Sequence, residues 1–386
     1  MPFQRNSLKE EDRCKLYKWP KVELHVHLEG VVRLETIVDL QREARAKGPE
    51  DFAKMMGPFS ESWENMSELR SLVVIEEGDK DQSLLLFLER FKFFMGLIQG
   101  RKDAIYRVTY EFIEDLYQQR VEYAELRFCP MLLASCKLEP HFKSSGSMTP
   151  DDVIVVVKQA INDAYEDYGV KCRLILANVV GLWEYALPII DLATRHPDIV
   201  VGIDVAGYEN GHIYKTKKEK LFITAFNKAK ELGIHRTAHA GEAGGPSSVK
   251  NALLYLNAER IGHGYHMIED PVLLDYIKDK NIHVECCLTS CCKIGGFWNE
   301  KWDEHPIKKF FDSDVNCSLS TDDPTIFQNN LQMEYQKCQK RFKVSTNKLI
   351  ESNLNAAKAS FLPDDEKENL VKSLEKQYAL ISFDSF

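Results

Sequence analysis

Four short stretches of this 386-residue sequence carry side chains suited to metal-assisted chemistry. The first is His25-Val26-His27, with Glu29 and Gly30 just behind it. Residues 22–28 are β-rich and bounded by Pro20 and Gly30, so they read as a strand. Successive strand side chains point to opposite faces. His25 and His27 therefore share one face, while Leu24, Val26 and Leu28 share the other. Two imidazoles side by side at a strand end can grip one metal ion, although a lone pair of this kind is more often core packing. The other three stretches change that weight. They are His239-Ala-Gly-Glu242, Gly262-His263-Gly264 and Ser320-Thr-Asp322-Asp323-Pro324. Imidazole and carboxylate are fitting Zn²⁺ ligands, and a catalytic zinc site keeps one position for water. Each stretch alone has a bland reading. His263 could be a packed imidazole in a tight turn, Asp323 a helix cap and Glu242 a surface carboxylate.

A scaffold must bring these stretches together. Strand-like and helix-like patterns alternate along the chain, with no repeat, low-complexity segment or Gly/Ser linker. The expected strands lie at 22–28, 122–129, 172–177, 199–206, 235–240, 260–265, 282–288 and 316–321. Eight strands alternating with helices predict an α/β fold: a closed parallel (β/α)8 TIM barrel with its helices outside. It forms a single domain over 1–386, with a helical insertion at about 31–120 after strand one. Within that insertion Leu84, Leu85, Phe87, Leu88, Phe91, Phe94 and Met95 recur at helical spacing, the usual mark of core packing. Thr149-Pro-Asp-Asp152 opens a helix that Gly169 ends. Extra helices at 345–361 and 364–379 follow barrel closure, separated by Pro363. In such barrels catalytic groups gather at the C-terminal strand ends, and all four reactive stretches fall there.

The bulk numbers narrow the function class. A chain 44% hydrophobic and 28% charged is ordinary for a globular protein. The net charge of −9 argues against nucleic acid and anionic membrane as partners. No apolar run is long enough to span a bilayer, and residues 1–19 have no apolar export signal. The ten cysteines then read as reduced thiols of a cytoplasmic protein. Cys286, Cys287, Cys291 and Cys292 do not make a metal site: the spacing is not Cys-x-x-Cys, and strand neighbours face opposite ways. The sequence leaves oligomeric state open.

The motifs resemble those of adenosine deaminases of the amidohydrolase superfamily. They stand as Val22-Glu-Leu-His-Val-His-Leu-Glu-Gly30, His235-Arg-Thr-Ala-His-Ala-Gly-Glu242, Glu259-Arg-Ile-Gly-His-Gly-Tyr265 and Ser318-Leu-Ser-Thr-Asp-Asp-Pro324. The similarity covers nearly everything from about 20 to 380. It implies hydrolytic deamination of adenosine and 2′-deoxyadenosine to inosine and 2′-deoxyinosine plus ammonia, in purine salvage. It also implies one Zn²⁺ per chain, held by His25, His27, His239 and Asp322, with His263 orienting the attacking water. Glu242 would protonate N1, Asp323 would bond N7, and the Gly207 backbone N–H would bond N3. Some of Leu84, Phe87, Leu88 and Phe91 would form an apolar wall over base and sugar. Two departures stand out. Leu288 replaces a proline common after the cysteine of the seventh strand, which leaves that loop's shape open. Glu29 stands where nucleoside enzymes usually carry aspartate at the sugar's 5′-hydroxyl, and relatives acting on free adenine often have glutamate there. The alternatives are a deaminase of adenine or of an N6-substituted adenine nucleotide, a binuclear amidohydrolase, and a non-catalytic binding protein on the same fold. A binuclear site usually needs a lysine at a middle strand end, and strands three to five end in Asn178, Gly207 and Glu242 instead. Asp204 has no assigned partner.

Overall fold

The computed structural model describes residues 19–60, 63–76, 83–209, 216–294 and 302–380. The polar N-terminal stretch considered above as an export signal lies, through Lys18, outside them. Eight strands form one parallel sheet in which each pairs with its sequence neighbour. They are β1 (Lys21–His27), β2 (Val121–Phe128), β3 (Lys171–Val179), β4 (Val200–Ala206), β5 (His235–Ala240), β6 (Arg260–His263), β7 (His283–Cys286) and β8 (Cys317–Leu319). The seam between β8 and β1 is bridged beyond the end of β8. There the Asp322 N–H donates to the His25 carbonyl at 2.9 Å, and the His27 N–H donates to the Asp322 carbonyl at 3.0 Å. The predicted TIM barrel is therefore present, and the residues that bridge its seam are three of the proposed metal ligands.

Parallel strands covered by helices are buried on both faces. In β1 the outward set Val22, Leu24 and Val26 is fully buried and apolar, while Glu23 and His25 are buried facing the interior. That interior holds charge. Arg127 on β2 reaches Asp204 of β4 at 2.9 Å and Glu285 of β7 at 2.7 Å. Arg260 on β6 reaches Glu285 at 2.8 Å and Glu125 of β2 at 2.6 Å. All five side chains are at most 2% exposed, and burial of this depth is tolerable only because every charge is paired. Four of the eight strands are thus tied across the barrel by ion pairs.

Strand and helix boundaries follow local chemistry. Thr149 and Asp152 form a capping box at the start of the helix Pro150–Tyr168, and Gly169 ends it at φ 69°. Pro363 opens the helix Asp364–Ala379 after the helix Thr346–Ala359. Two expectations shift. Tyr265 and Leu288, expected within strands six and seven, instead open a 3₁₀ turn and a short helix, Leu288–Ile294. The apolar stripe from 84 to 95 is not one helix with a buried face. The helix Leu84–Arg90 stops and gives way to 3₁₀ turns at Phe91–Phe93 and Met95–Leu97, and Leu85 is 53% exposed. Of the insertion's helices, the last, Lys102–Gln118, is the regular outer helix between β1 and β2.

Candidate active site

Four ligand-type atoms converge where the seam is bridged. One nitrogen each from His25, His27 and His239, together with an Asp322 oxygen, lie within 4.8 Å of one another. His27 Nε2 stands 3.1 Å from His239 Nε2, and both His25 Nε2 and His27 Nε2 stand 3.4 Å from Asp322 Oδ1. His25 Nε2 is fully buried and has no aligned hydrogen-bond partner, a costly state for an imidazole nitrogen. The opposite nitrogens are secured. His25 Nδ1 lies 2.7 Å from Glu285 Oε2, and His239 Nδ1 lies 3.0 Å from Asp204 Oδ2. A carboxylate behind the imidazole fixes its tautomer so that the free nitrogen faces inward, as in metal-binding histidines. A divalent cation fits this donor set.

A second grouping shares two of these residues. His25, His263, Cys287 and Asp322 also offer ligand atoms within 4.8 Å. Burial, reinforced by the charge of Asp322, pushes the Cys287 thiol well above its usual range. The first set has three imidazoles, two of them backed by carboxylates, where this grouping has two imidazoles and a thiol, with His263 Nδ1 backed by the Tyr265 hydroxyl at 3.1 Å. The first set is the better metal site on that chemistry. Cys287 nevertheless borders the centre, which its place among four cysteines did not reveal. All four are buried free thiols, and Cys286, Cys291 and Cys292 belong to no such group among the described residues.

The titrating groups are pushed apart. Burial, then the charges of Asp322 and Glu209, raise the Glu242 carboxyl well above the carboxylate range, which favours its protonated form. Burial would raise Asp322 too, but the facing imidazoles of His25, His263 and His27 outweigh it and keep Asp322 ionised. Burial, then His25, lowers His263, leaving it a neutral imidazole 3.8 Å from Glu242 Oε1. Asp323 is raised by burial and then by Asp322. Its Oδ1 is buried without a partner and occupies the space a Cβ on Gly30 would need, only 1.7 Å away. Glu29 accepts the Cys129 N–H at 3.0 Å, and burial pushes its carboxyl up to about 7. His263 and Asp322 sit at φ 67° and 66°, a strained backbone for residues with side chains and one common at functional sites.

These residues line one open cleft with a cavity volume of about 200 Å³. His27, His239, Glu242, His263, Asp322 and Asp323 form its floor. Gly207 (φ 105°) and Glu29 stand at its side, and Leu84, Phe87, Leu88 and Phe91 form one wall. Every candidate metal-binding, catalytic and substrate-binding residue from the sequence lines the cleft except His25, which lies fully buried behind it.

Comparison with known proteins places the chain in a family. A family model described as adenosine deaminase matches residues 20–377. The chain belongs to the adenosine deaminase family. A bovine adenosine deaminase is 37% identical over 369 residues, covering 94% of this chain and 95% of its own. Among solved structures, adenine deaminase from Arthrobacter aurescens superposes with TM-score 0.77 at 23% identity, covering 93% of this chain and 99% of its own. An Arabidopsis N6-mAMP deaminase superposes with TM-score 0.74 at 25% identity, covering 93% and 98%.

Sequence reasoning missed the groups behind the family motifs. Arg127, Asp204 and Glu285 hold His25 and His239 from inside the barrel. Asp204 thereby gains the partners it lacked. Glu23 accepts from the Thr321 N–H at 3.2 Å and the Thr321 hydroxyl at 2.9 Å, fixing the residue before Asp322. The one available signal was Asp204, which sits inside an otherwise apolar strand.

Proposed function

We propose that this chain is a zinc-dependent enzyme that hydrolytically deaminates adenosine and 2′-deoxyadenosine to inosine and 2′-deoxyinosine, releasing ammonia, in purine salvage. What carries the reading is a buried Glu242, its carboxyl raised well above the carboxylate range, beside His263 and above four converging ligand atoms, in a member of this family. His25, His27, His239 and Asp322 would hold the zinc. Bound there, zinc supplies a Lewis acid that turns water into a nucleophile at neutral pH.

The remaining work falls to the protein. Addition at C6 of a purine breaks ring aromaticity, which is costly unless N1 gains a proton. Glu242, whose burial favours the protonated carboxyl, supplies that proton as general acid. His263, neutral and within reach of Glu242, orients the attacking water and accepts its proton. Asp323 and the Gly207 N–H hold N7 and N3. The left-handed backbone at Gly207 suits glycine and lets the base approach the main chain. The apolar wall excludes bulk water from the ring.

Glu29 favours a second reading, a deaminase of free adenine, since its extra methylene reaches toward the space a ribose would occupy. A nucleotide substrate is less well served: no lysine or arginine stands among the described residues lining the cleft to meet a 5′-phosphate. The decisive experiment is an assay of inosine and ammonia release from adenosine, run beside adenine and an N6-methylated adenine nucleotide. Turnover of adenosine with the highest kcat/KM supports the nucleoside reading, and a preference for adenine replaces it with the second.

A further inference from the structure

Two residues beyond Gly207, on the loop after β4, the Glu209 side chain turns under the loop that follows β5. It is 6% exposed. Its Oε1 accepts the Gly241 N–H at 2.7 Å, and its Oε2 accepts those of Glu242 at 3.0 Å, Ala243 at 2.9 Å and Gly244 at 2.8 Å. The Ser248 hydroxyl, in the first turn of the helix Pro246–Tyr255, also donates to Oε1. One carboxylate thus gathers four consecutive main-chain N–H groups and a hydroxyl. The approach is close enough that a Cβ on Gly244 would stand 2.7 Å from Oε1, and Gly241 takes φ 73° to make the turn. A carboxylate near a helix N-terminus is also favoured by the helix dipole.

We infer that Glu209 is a positioning residue for the reaction: it holds the backbone of Glu242 so that this acid faces the purine ring. The loop it grips follows Ala240 at the end of β5 and carries Glu242, with no strand pairing beyond Ala240 and the His266 N–H donating to the Gly241 carbonyl at 3.0 Å. Charge-assisted bonds to main-chain N–H groups are short and strong and leave the loop one arrangement. Glu209 also leaves the strand just after Gly207, so one segment sets both the edge that meets N3 and the acid that meets N1. Neutralising Glu209 is not a mild change here. A glutamine places its NH₂ either against three N–H donors at the Oε2 position or against the Gly241 N–H at the Oε1 position. An amide nitrogen accepts from neither. The Ser248 hydroxyl can rotate to accept, but the main chain cannot.

The inference rests on Glu242 as the acid proposed above, and the test keeps the two apart. Wild type, Glu242→Gln, Glu209→Gln and the double variant are compared with adenosine as substrate, with metal content and Tm recorded for each. Wild type inert toward adenosine, or Glu242→Gln as active as wild type, breaks the functional reading before any Glu209 variant is considered. If Glu209 acts through Glu242, Glu209→Gln keeps its metal and KM and loses up to ~10²-fold in kcat, the scale of a misplaced catalytic group. In the Glu242→Gln background the same change then costs little, leaving kcat within about twofold, whereas independent effects would multiply. Equal fold-losses in both backgrounds, or a loss confined to KM, overturn the inference. Should Glu209→Gln lose fold or metal, Ser248→Ala, which keeps the carboxylate and removes one bond, carries the same cycle. A smaller kcat loss that vanishes in the Glu242→Gln background upholds the role, and an unchanged kcat or a loss equal in both backgrounds ends it.

Discussion

The cleft has two unlike sides. Its floor is built from strand ends and is braced from within by ion pairs: Glu285 and Asp204 hold His25 and His239, and Arg127 and Arg260 hold those carboxylates. Its wall is built from the short helix Leu84–Arg90 and the turns after it, where Leu85 is 53% and Leu86 45% exposed. The wall is held by apolar contact. Phe87 stacks on Phe327 at 5.2 Å and meets Phe91 edge-on at 5.5 Å. Directional, paired contacts fix atoms to within fractions of an ångström, as chemistry at one carbon demands. Non-directional contacts allow the wall to adapt to what it covers. The division predicts that floor changes strike kcat and metal, and that wall changes strike KM.

The largest effect should come from removing a ligand. His27→Ala should lose its metal and fall to background activity, whereas wild type should carry about one zinc per chain by elemental analysis. Two tightly bound metals per chain would contradict a single-ion floor. Next comes the acid: Glu242→Gln should keep zinc and fold and lose ~10²-fold or more in kcat. Near-normal turnover would remove Glu242 from the chemistry. Deeper in the floor, Glu285→Gln leaves His25 without its carboxylate and unbalances two buried arginines. Metal affinity should fall ~10- to 100-fold, as for other groups that orient a metal-binding histidine. Stability should fall by about 3–5 kcal/mol, the usual cost of breaking a buried pair, in denaturant unfolding.

A wall substitution should look different. Phe87→Ala removes a nearly buried ring, so stability should fall by about 3 kcal/mol, the lower end for such truncations. Its kinetic mark should be a raised KM, with kcat and zinc content nearly unchanged. A kcat loss as deep as that of Glu242→Gln would mean that the wall also aligns the ring, and the division between the two sides would fail.

The same division separates what was readable in the sequence from what was not. The barrel was legible because its strands and helices alternate in period, and the candidate ligands because His25 and His27 share a strand face and the other motifs fall at the same strand ends. The braces were not. Both faces of a barrel strand are buried, so nothing in the pattern around Glu285 or Asp204 says which cation it meets across the interior. Glu209 was hidden for another reason: its partners are main-chain N–H groups, which every sequence has and which no residue type announces. The wall was half-legible. Leu84, Phe87, Leu88 and Phe91 were expected to wall the cleft, but helical spacing could not foresee that the helix ends at Arg90 and leaves Leu85 outside.

The smallest effect, and the one that decides substrate, belongs to Glu29, where floor and wall meet. It stands on a 3₁₀ turn directly after β1, and the Cys129 N–H, just past the end of β2, holds its Oε1 at 3.0 Å. Burial pushes this carboxyl up to about 7, so near neutrality it can either donate to or accept from a hydroxyl. Relative to aspartate the extra methylene extends the side chain by roughly 1.5 Å, one carbon–carbon bond. If that length fills the sugar space, adenine is the substrate. If the Cys129 tether draws the carboxyl aside, the bond to a 5′-hydroxyl is displaced but kept. We expect the second, since the tether is in place. Adenosine should then exceed adenine in kcat/KM, and 5′-deoxyadenosine should be poorer than adenosine, because a buried polar group left unpaired costs binding. Glu29→Ala should erase most of the gap between adenosine and its 5′-deoxy analogue while leaving zinc content unchanged. A gap that survives this substitution would place the sugar's recognition elsewhere in the cleft, and a higher kcat/KM for adenine would show that Glu29 closes the site to ribose.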